Sequence, residues 1–204
     1  MKILYTGFEP FGGECTNPSF EAIRLLPGKI AGAEVIRLEI PVVFGKAEEA
    51  VLRAVETHRP EFVICVGQAG GRAAVTPEYA AINYRCARIP DNAGQQPFDE
   101  RIIPGGPAAY FTKLPVHEIV RKCVERGIPA AVSYSAGTFV CNEVMYTLLH
   151  AVESRFPHLI GGFLHVPYSP EQAAVKTPVP PCMDLHKIAD ALFFAGEVSI
   201  CVQH

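Results

Sequence analysis

The sequence predicts an α/β protein of one domain, a three-layer α/β/α sandwich with a twisted, mostly parallel central sheet. Three observations lead there. Runs rich in Val, Ile and Leu alternate along the chain with segments whose apolar residues recur three and four apart. Several of the strand-like runs are apolar on both faces, as strands covered by helices on either side must be. The 204 residues, 49% apolar and 19% charged, suffice for one large core without needing a second. A single domain over 1–204 is therefore expected.

In order along the chain, the first strand is read at "KILYTGF" (2–8), which runs into the glycine-rich turn "TGFEPFGG" (6–13). "PSFEAIRLL" (18–26) follows as a helix, "AEVIRLEIPVV" (33–43) as a strand, and "KAEEAVLRAVETH" (46–58) as a second helix. "EFVICVG" (61–67) is the next strand and opens onto "VGQAGGR" (66–72). The stretch 88–107, "RIPDNAGQQPFDERIIPGGP", is rich in proline and glycine and shows neither period, so it is a long irregular loop of the kind that often carries function. "VHEIVRKCVERG" (116–127) is a helix and "AAVSYS" (130–135) a strand. "EVMYTLLHAVESRF" (143–156) is a helix with Val144, Leu148 and Val152 one turn apart, and "GGFLHVPY" (161–168) is the last strand. After the turn-rich "KTPVPPC" (176–182), a final helix covers "DLHKIADALFF" (184–194). Open parallel sheets bind ligands outside the carboxyl ends of their strands, so the turns after the strands are where chemistry is sought.

Several function classes are excluded first. A net charge of −3 provides no basic footprint, so nucleic acid is not an expected partner. No run approaches the ~20 apolar residues of a membrane span. The opening "MKILYTGFEPFGG" does not read as a signal peptide, and a cytoplasmic protein is expected. Seven cysteines, at positions 15, 65, 86, 123, 141, 182 and 201, contain no C-x-x-C pair and read as reduced thiols. "HEIVR" (117–121) has Arg121 where a zinc helix needs its second histidine, so no metal is expected. The glycines of "VGQAGGR" do not fit G-x-G-x-x-G, and neither glycine turn holds a P-loop, so no nucleotide cofactor is expected either. What these glycines offer is backbone that can approach a ligand closely.

"SAGTFVC" (135–141) places Cys141 where a strand-like run meets a helix-like one. A cysteine among apolar residues can be a small core residue. At a helix start, with Thr138 and Asn142 as caps, it can instead be a nucleophile whose thiolate the helix dipole favours. Acyl transfer then requires a base and a group that holds the base in place. His58, His150, His158 and His186 lie in or beside polar helices and loops, His117 begins a helix, and His204 is the last residue. His165 is different: it lies near the carboxyl end of an apolar strand, at the sheet edge where the strand before Cys141 is also expected to end. Glu78, in "VTPEYAAIN" (75–83), is the one acid of the stretch 73–84 and a candidate partner. A core histidine and a surface glutamate are the plainer alternatives for these two.

The words around these residues, "TGFEPFGG", "VGQAGGR", "TPE", "ARIPDN", "PGGPAAYFTKLP", "GIPAAVSYSAGTFVCN" and "GGFLHVPYSPEQ", resemble the pyrrolidone carboxyl peptidases, or pyroglutamyl peptidases I, over nearly the whole chain. The resemblance implies a cysteine exopeptidase that removes an N-terminal pyroglutamyl residue through a thioester, without cofactor or metal. It assigns the nucleophile to Cys141, the base to His165 and the orienting acid to Glu78. Its oxyanion donors are the Cys141 N–H and Arg88, for which an ion pair with Asp91 is the structural alternative. It surrounds the ring with Phe8, Phe11, Ile89, Phe139 and Val140, and sets the backbone of Gln68 and Asn17 near the lactam. Pyroglutamylated peptides are the implied partners and a homotetramer the implied assembly. Cys86 stands where relatives commonly carry an acid, which affects polar contacts near Arg88. Two rivals remain: a nucleoside phosphorylase-like enzyme on a similar fold, and a peptide-binding domain with an inert Cys141.

Overall fold

A computed structural model describes residues 1–202. The chain forms β1 (Lys2–Phe8), α1 (Pro18–Arg24), β2 (Lys29–Ile30), β3 (Ala33–Ile40), α2 (Lys46–His58) and β4 (Phe62–Gln68). Three short strands follow, β5 (Thr76–Glu78), β6 (Ala80–Ile82) and β7 (Ala109–Phe111), then α3 (Val116–Glu125) and α4 (Val140–Ser154). The last elements are β8 (Ile160–Val166), α5 (Pro170–Ala174) and α6 (Leu185–Cys201). His204, and with it the end of the expected 1–204 domain, lies outside the described residues.

Six strands make one sheet in the order β2-β3-β1-β4-β8-β5. The four central strands are parallel, and only the short β2 and β5 run antiparallel to their neighbours. Alternate residues of each strand enter two separate cores. Ile3, Tyr5, Ile64, Val66, Leu164 and Val166 pack under α1, α3 and α6, whereas Leu4, Val63, Cys65 and Phe163 pack under α2 and α4. This is the expected three-layer α/β/α arrangement, and it explains why the central strands read as continuous apolar runs. The fit of α6 on β1 shows how closely the layers approach. The Tyr5 hydroxyl donates to the Leu192 carbonyl at 2.8 Å, and a Cβ on Gly196 would come within 2.2 Å of that hydroxyl oxygen.

The expected strand "AAVSYS" is the main departure. It makes only two isolated parallel bridges, Ala130 with Val75 and Ser133 with Glu78. The bonds from Val75 N to Pro129 O, Ala131 N to Val75 O, Ser133 N to Pro77 O and Tyr79 N to Ser133 O are all made. The missing rung is the one that residue 77 would donate, and Pro77 has no N–H. Because β5 runs antiparallel to β8, this segment also runs opposite to β8 and does not end at the sheet edge where His165 stands. The chain turns back through Gly137, whose φ of 81° lies in the region glycine tolerates, and reaches α4 from the other direction. Elsewhere, α4 begins three residues earlier than its periodicity suggests, α6 runs on to Cys201, and 88–107 has no regular element.

Candidate active site

β5 brings an acid to the edge of the parallel sheet. Thr76 pairs with His165 and Glu78 with Phe163, so alternation along the two strands puts Glu78 and His165 on the α4 face. Glu78 Oε1 lies 2.7 Å from His165 Nδ1. Both side chains are buried. Burial alone would raise the Glu78 carboxyl's pKa. Hydrogen bonding from His165 and its charge, aided by Ser133 and Arg72, outweigh burial and hold it below the usual value. An ionised carboxylate accepts, so Nδ1 carries the proton of the neutral imidazole and Nε2 keeps its lone pair.

Cys141 is the second residue of α4. A Cβ built on Gly67 would stand 2.9 Å from the Cys141 sulfur. Gly67 is the register partner of His165, so its absent side chain would have pointed to the same face as the imidazole. The thiol thus occupies the place of a missing side chain on the strand next to His165. Burial pushes the Cys141 thiol up to about 12, and the charge of Glu78 acts in the same direction. Burial and the Glu78 charge thus work against the thiolate that the helix start and Arg72 favour. The expected caps are also used elsewhere. Thr138 Oγ1 donates to Cys86 O at 2.8 Å, and Asn142 bonds to Ile82 and to Tyr84 O, tying the start of α4 to the chain around β6. Phe139 is the N-cap and offers no side-chain bond. The N–H groups of Val140 and Cys141 consequently have no helical carbonyl to donate to.

Cys141 and His165 face a cavity of about 680 Å³. Phe8, Phe11, Asn17, Gln68, Arg88, Ile89, Phe139 and Val140 line it as well, so it gathers every anticipated site residue except Glu78, which stands behind His165. Phe139 meets Phe44 edge-on at 5.2 Å. The Asn17 side chain is already engaged: its Oδ1 accepts from Ser19 and caps α1, and its Nδ2 donates to Glu9 O. Arg88 is exposed on the cavity rim. The alternative pairing with Asp91 is not formed. That carboxylate is taken by the backbone N–H groups of Phe44, Ala93 and Gln95.

The profile of the pyroglutamyl peptidase family matches residues 1–202. The chain belongs to that family. It is 54% identical over 203 residues to a pyrrolidone-carboxylate peptidase of Enterococcus faecalis, covering 100% of this chain and 95% of that one. A crystal structure of pyroglutamyl peptidase I from Bacillus amyloliquefaciens superposes with a TM-score of 0.94 at 48% identity, covering 98% of this chain and 97% of the other. A mutant pyrrolidone carboxyl peptidase from Pyrococcus furiosus gives 0.96 at 45% identity, with 100% of both chains covered. The nucleoside-cleaving rival is set aside by these matches.

Three residues of this family member escaped the sequence reading. Arg72 donates to Glu78 Oε1 at 2.7 Å and also to Thr76 Oγ1 and Ser135 O. It closes the quoted motif "VGQAGGR", whose glycines drew attention while its arginine did not. Gln172 is buried, and its Nε2 donates to Gln68 Oε1 at 2.9 Å and to Thr16 O at 3.0 Å, which fixes the Gln68 amide at the cavity wall. Tyr168 also lines the cavity and packs on Gly70, where a Cβ would fall 2.1 Å from its hydroxyl oxygen. The only advance signal for these last two was their place directly after the His165 strand.

Proposed function

We propose that this pyroglutamyl peptidase cleaves the amide bond after an N-terminal pyroglutamyl residue with Cys141 as nucleophile, His165 as general base and then acid, and Glu78 as its orienting carboxylate. The observation that carries this is the 2.7 Å bond between Glu78 and His165 Nδ1, which leaves Nε2 free at the cavity that the Cys141 thiol, seated on Gly67, also lines. The Cys141 thiol loses its proton to Nε2 as its sulfur attacks the pyroglutamyl carbonyl. The imidazolium, stabilised by Glu78, returns that proton to the leaving amine, and water then releases pyroglutamate from the thioester. The Cys141 N–H and Arg88 meet the oxyanion. One such donor is worth about 3–4 kcal/mol in the transition state.

Substrate choice follows from the charge of the cavity. Among the described residues no carboxylate lines it, whereas Arg72 and Arg88 do. An ordinary N-terminal ammonium would be stripped of water there without an opposing charge, at a large cost. The lactam is neutral. Its ring fits among Phe8, Phe11, Ile89, Phe139 and Val140, and the backbone of Gln68 and Asn17 serves its N–H and C=O. A slot of this kind discriminates strongly against proline, which lacks the ring carbonyl.

The same proposal covers one domain over 1–204, a cytoplasmic setting and a homotetramer. Seven free cysteines support a reducing compartment. No helix of the described residues is long and apolar enough to cross a membrane. The exposed cluster of Tyr79, Phe111 and Tyr134, with ring centroids 5.5 and 5.9 Å from Tyr79, is surface that a second copy would cover. Light scattering on the purified chain measures the assembly. The chemistry is tested by release of amine from a pyroglutamyl amide under reducing conditions: wild type turns over, and Cys141→Ser falls by about 10⁴-fold or more. Iodoacetamide stops the reaction with one adduct on Cys141. Full activity in the serine variant would remove Cys141 from the mechanism.

A further inference from the structure

We propose that Arg72 is a positioning residue of the catalytic pair, its guanidinium sharing one Glu78 oxygen with His165 and so setting how strongly that carboxylate holds the imidazole. The proposal rests on the triad assigned above and concerns a residue that no role in that triad requires.

Four observations carry it. Glu78 Oε1 receives both His165 Nδ1 and Arg72 Nη1, each at 2.7 Å, while Oε2 is buried without a partner. A fully buried carboxylate paired with histidine alone can become neutral by taking the imidazole proton. A guanidinium stays charged at every working pH, so its presence keeps the carboxylate an acceptor. By competing for the same oxygen, it also prevents Glu78 from holding the imidazolium too tightly to release its proton. Second, Arg72 is anchored at Thr76 Oγ1 and at Ser135 O, which links the turn after β4, β5 itself and the segment leading into α4. These are the segments that carry Gly67, Glu78 and Cys141. Third, among the described residues Arg72 forms an ion pair only with Glu78, so its charge is not divided between competing acids. Fourth, Arg72 lines the cavity with its side chain 32% exposed, placing a positive charge on the wall that also holds the thiol. Its charge favours the Cys141 thiolate, against the effect of Glu78.

The test compares Arg72→Gln, Arg72→Lys, Glu78→Gln and the Arg72→Gln/Glu78→Gln double variant. Alkylation of Cys141 by iodoacetamide is followed against pH, together with kcat and KM on a pyroglutamyl amide. Losing the positive charge disfavours the thiolate and favours the imidazolium, and both effects displace the acid limb upward. Arg72→Gln is expected to move that limb up by about half a unit or more. It should lower kcat by about 10- to 100-fold, with KM changed by less than about threefold. Arg72→Lys restores the position of the limb but not the full rate, because a point charge does not reproduce the planar set of donors. In the Glu78→Gln background, Arg72→Gln costs less than about threefold, since the carboxylate through which it acts is gone. An unmoved limb together with multiplying losses would make Arg72 a brace of the turn and nothing more. If Arg72→Gln does not fold, Thr76→Val removes one anchor of the guanidinium and must displace the limb in the same direction by a smaller amount; no displacement overturns the proposal. Alkylation needs no substrate, so the result is readable even if the pyroglutamyl assignment fails.

Discussion

Two clusters of buried glutamate and half-buried arginine flank the start of α4, and they behave in opposite ways. On one side, Glu78 is bonded to Arg72 and His165, and its carboxyl sits below the usual value. On the other, Glu143 is bonded to Arg85 at 2.7 Å and accepts from Gly45 N, yet burial outweighs these and leaves its carboxyl raised. Close by, Glu48 is pushed up to about 7 by burial and by the charge of Glu143. Each cluster leaves one buried carboxylate oxygen unpartnered, Glu78 Oε2 and Glu48 Oε2. The difference lies in the company. Arg85 divides its charge between Glu143 and Glu100, with Glu48 nearby, whereas Arg72 and His165 both serve one carboxylate. Glu78 thus faces an arginine and a histidine with no second acid bonded to them, the setting in which the proposed orienting role is possible.

Exchanging the acids for amides tests that contrast, with the largest effect on the catalytic side. Glu78→Gln is expected to lower kcat on a pyroglutamyl amide by about 10³-fold or more, because the amide can hold the wrong imidazole tautomer. KM should stay within a few-fold. A loss confined to KM would make Glu78 a binding residue. Glu143→Gln should leave kcat within about tenfold and instead destabilise the fold by about 1–3 kcal/mol, seen as a lower melting temperature. Equal kinetic losses in the two variants would erase the distinction.

The smallest effect concerns pH. Glu48 titrates near about 7 when folded against 4.5 when free, so the folded state binds its proton more tightly. Stability contributed by that proton is present at low pH and is lost as pH rises from 4.5 through about 7. Glu48→Gln should flatten that decline and raise the melting temperature at pH 8 by about 2 °C or more, with no change at pH 4. Glu78 has the opposite sign: its contribution is present at neutral pH and disappears as pH falls through its lowered value. Melting curves for Glu48→Gln that parallel wild type at all pH values would show that the two clusters do not differ as described.

The sandwich was legible because its signals are local. Ile3, Tyr5, Ile64 and Val66 alternate with Leu4, Val63 and Cys65, and that pattern alone requires cover on both sides of the sheet. Cys141 and His165 could be proposed from their places at a helix start and a strand end and Glu78 only as the lone acid of its stretch, while the choice among roles and the substrate came with the family's words. Direction was not legible. "AAVSYS" is apolar enough to be a strand, but nothing in it says that it pairs with the chain around Pro77 or runs against β8. Nor could the role of Asn142 be read locally, since its partners Ile82 and Tyr84 lie about 60 residues away. Arg72 was hidden for a similar reason: an arginine after two glycines signals a loop, and only the fold brings it to a buried carboxylate.

Gly67 has a consequence for anyone who would reshape this enzyme. The sulfur of Cys141 sits where a Cβ would be 2.9 Å away, and the Phe163 ring is closer still at 2.8 Å. Even alanine would therefore force both the Cys141 sulfur and the ring beneath the imidazole to shift. On the cavity wall Ile89 is exposed and Cys86 half-buried, whereas a Cβ at position 67 would meet the sulfur and the ring at once. In a saturation library selected for turnover, glycine is expected to dominate at position 67, because the place of the Cys141 sulfur is inherited through a group that is not there.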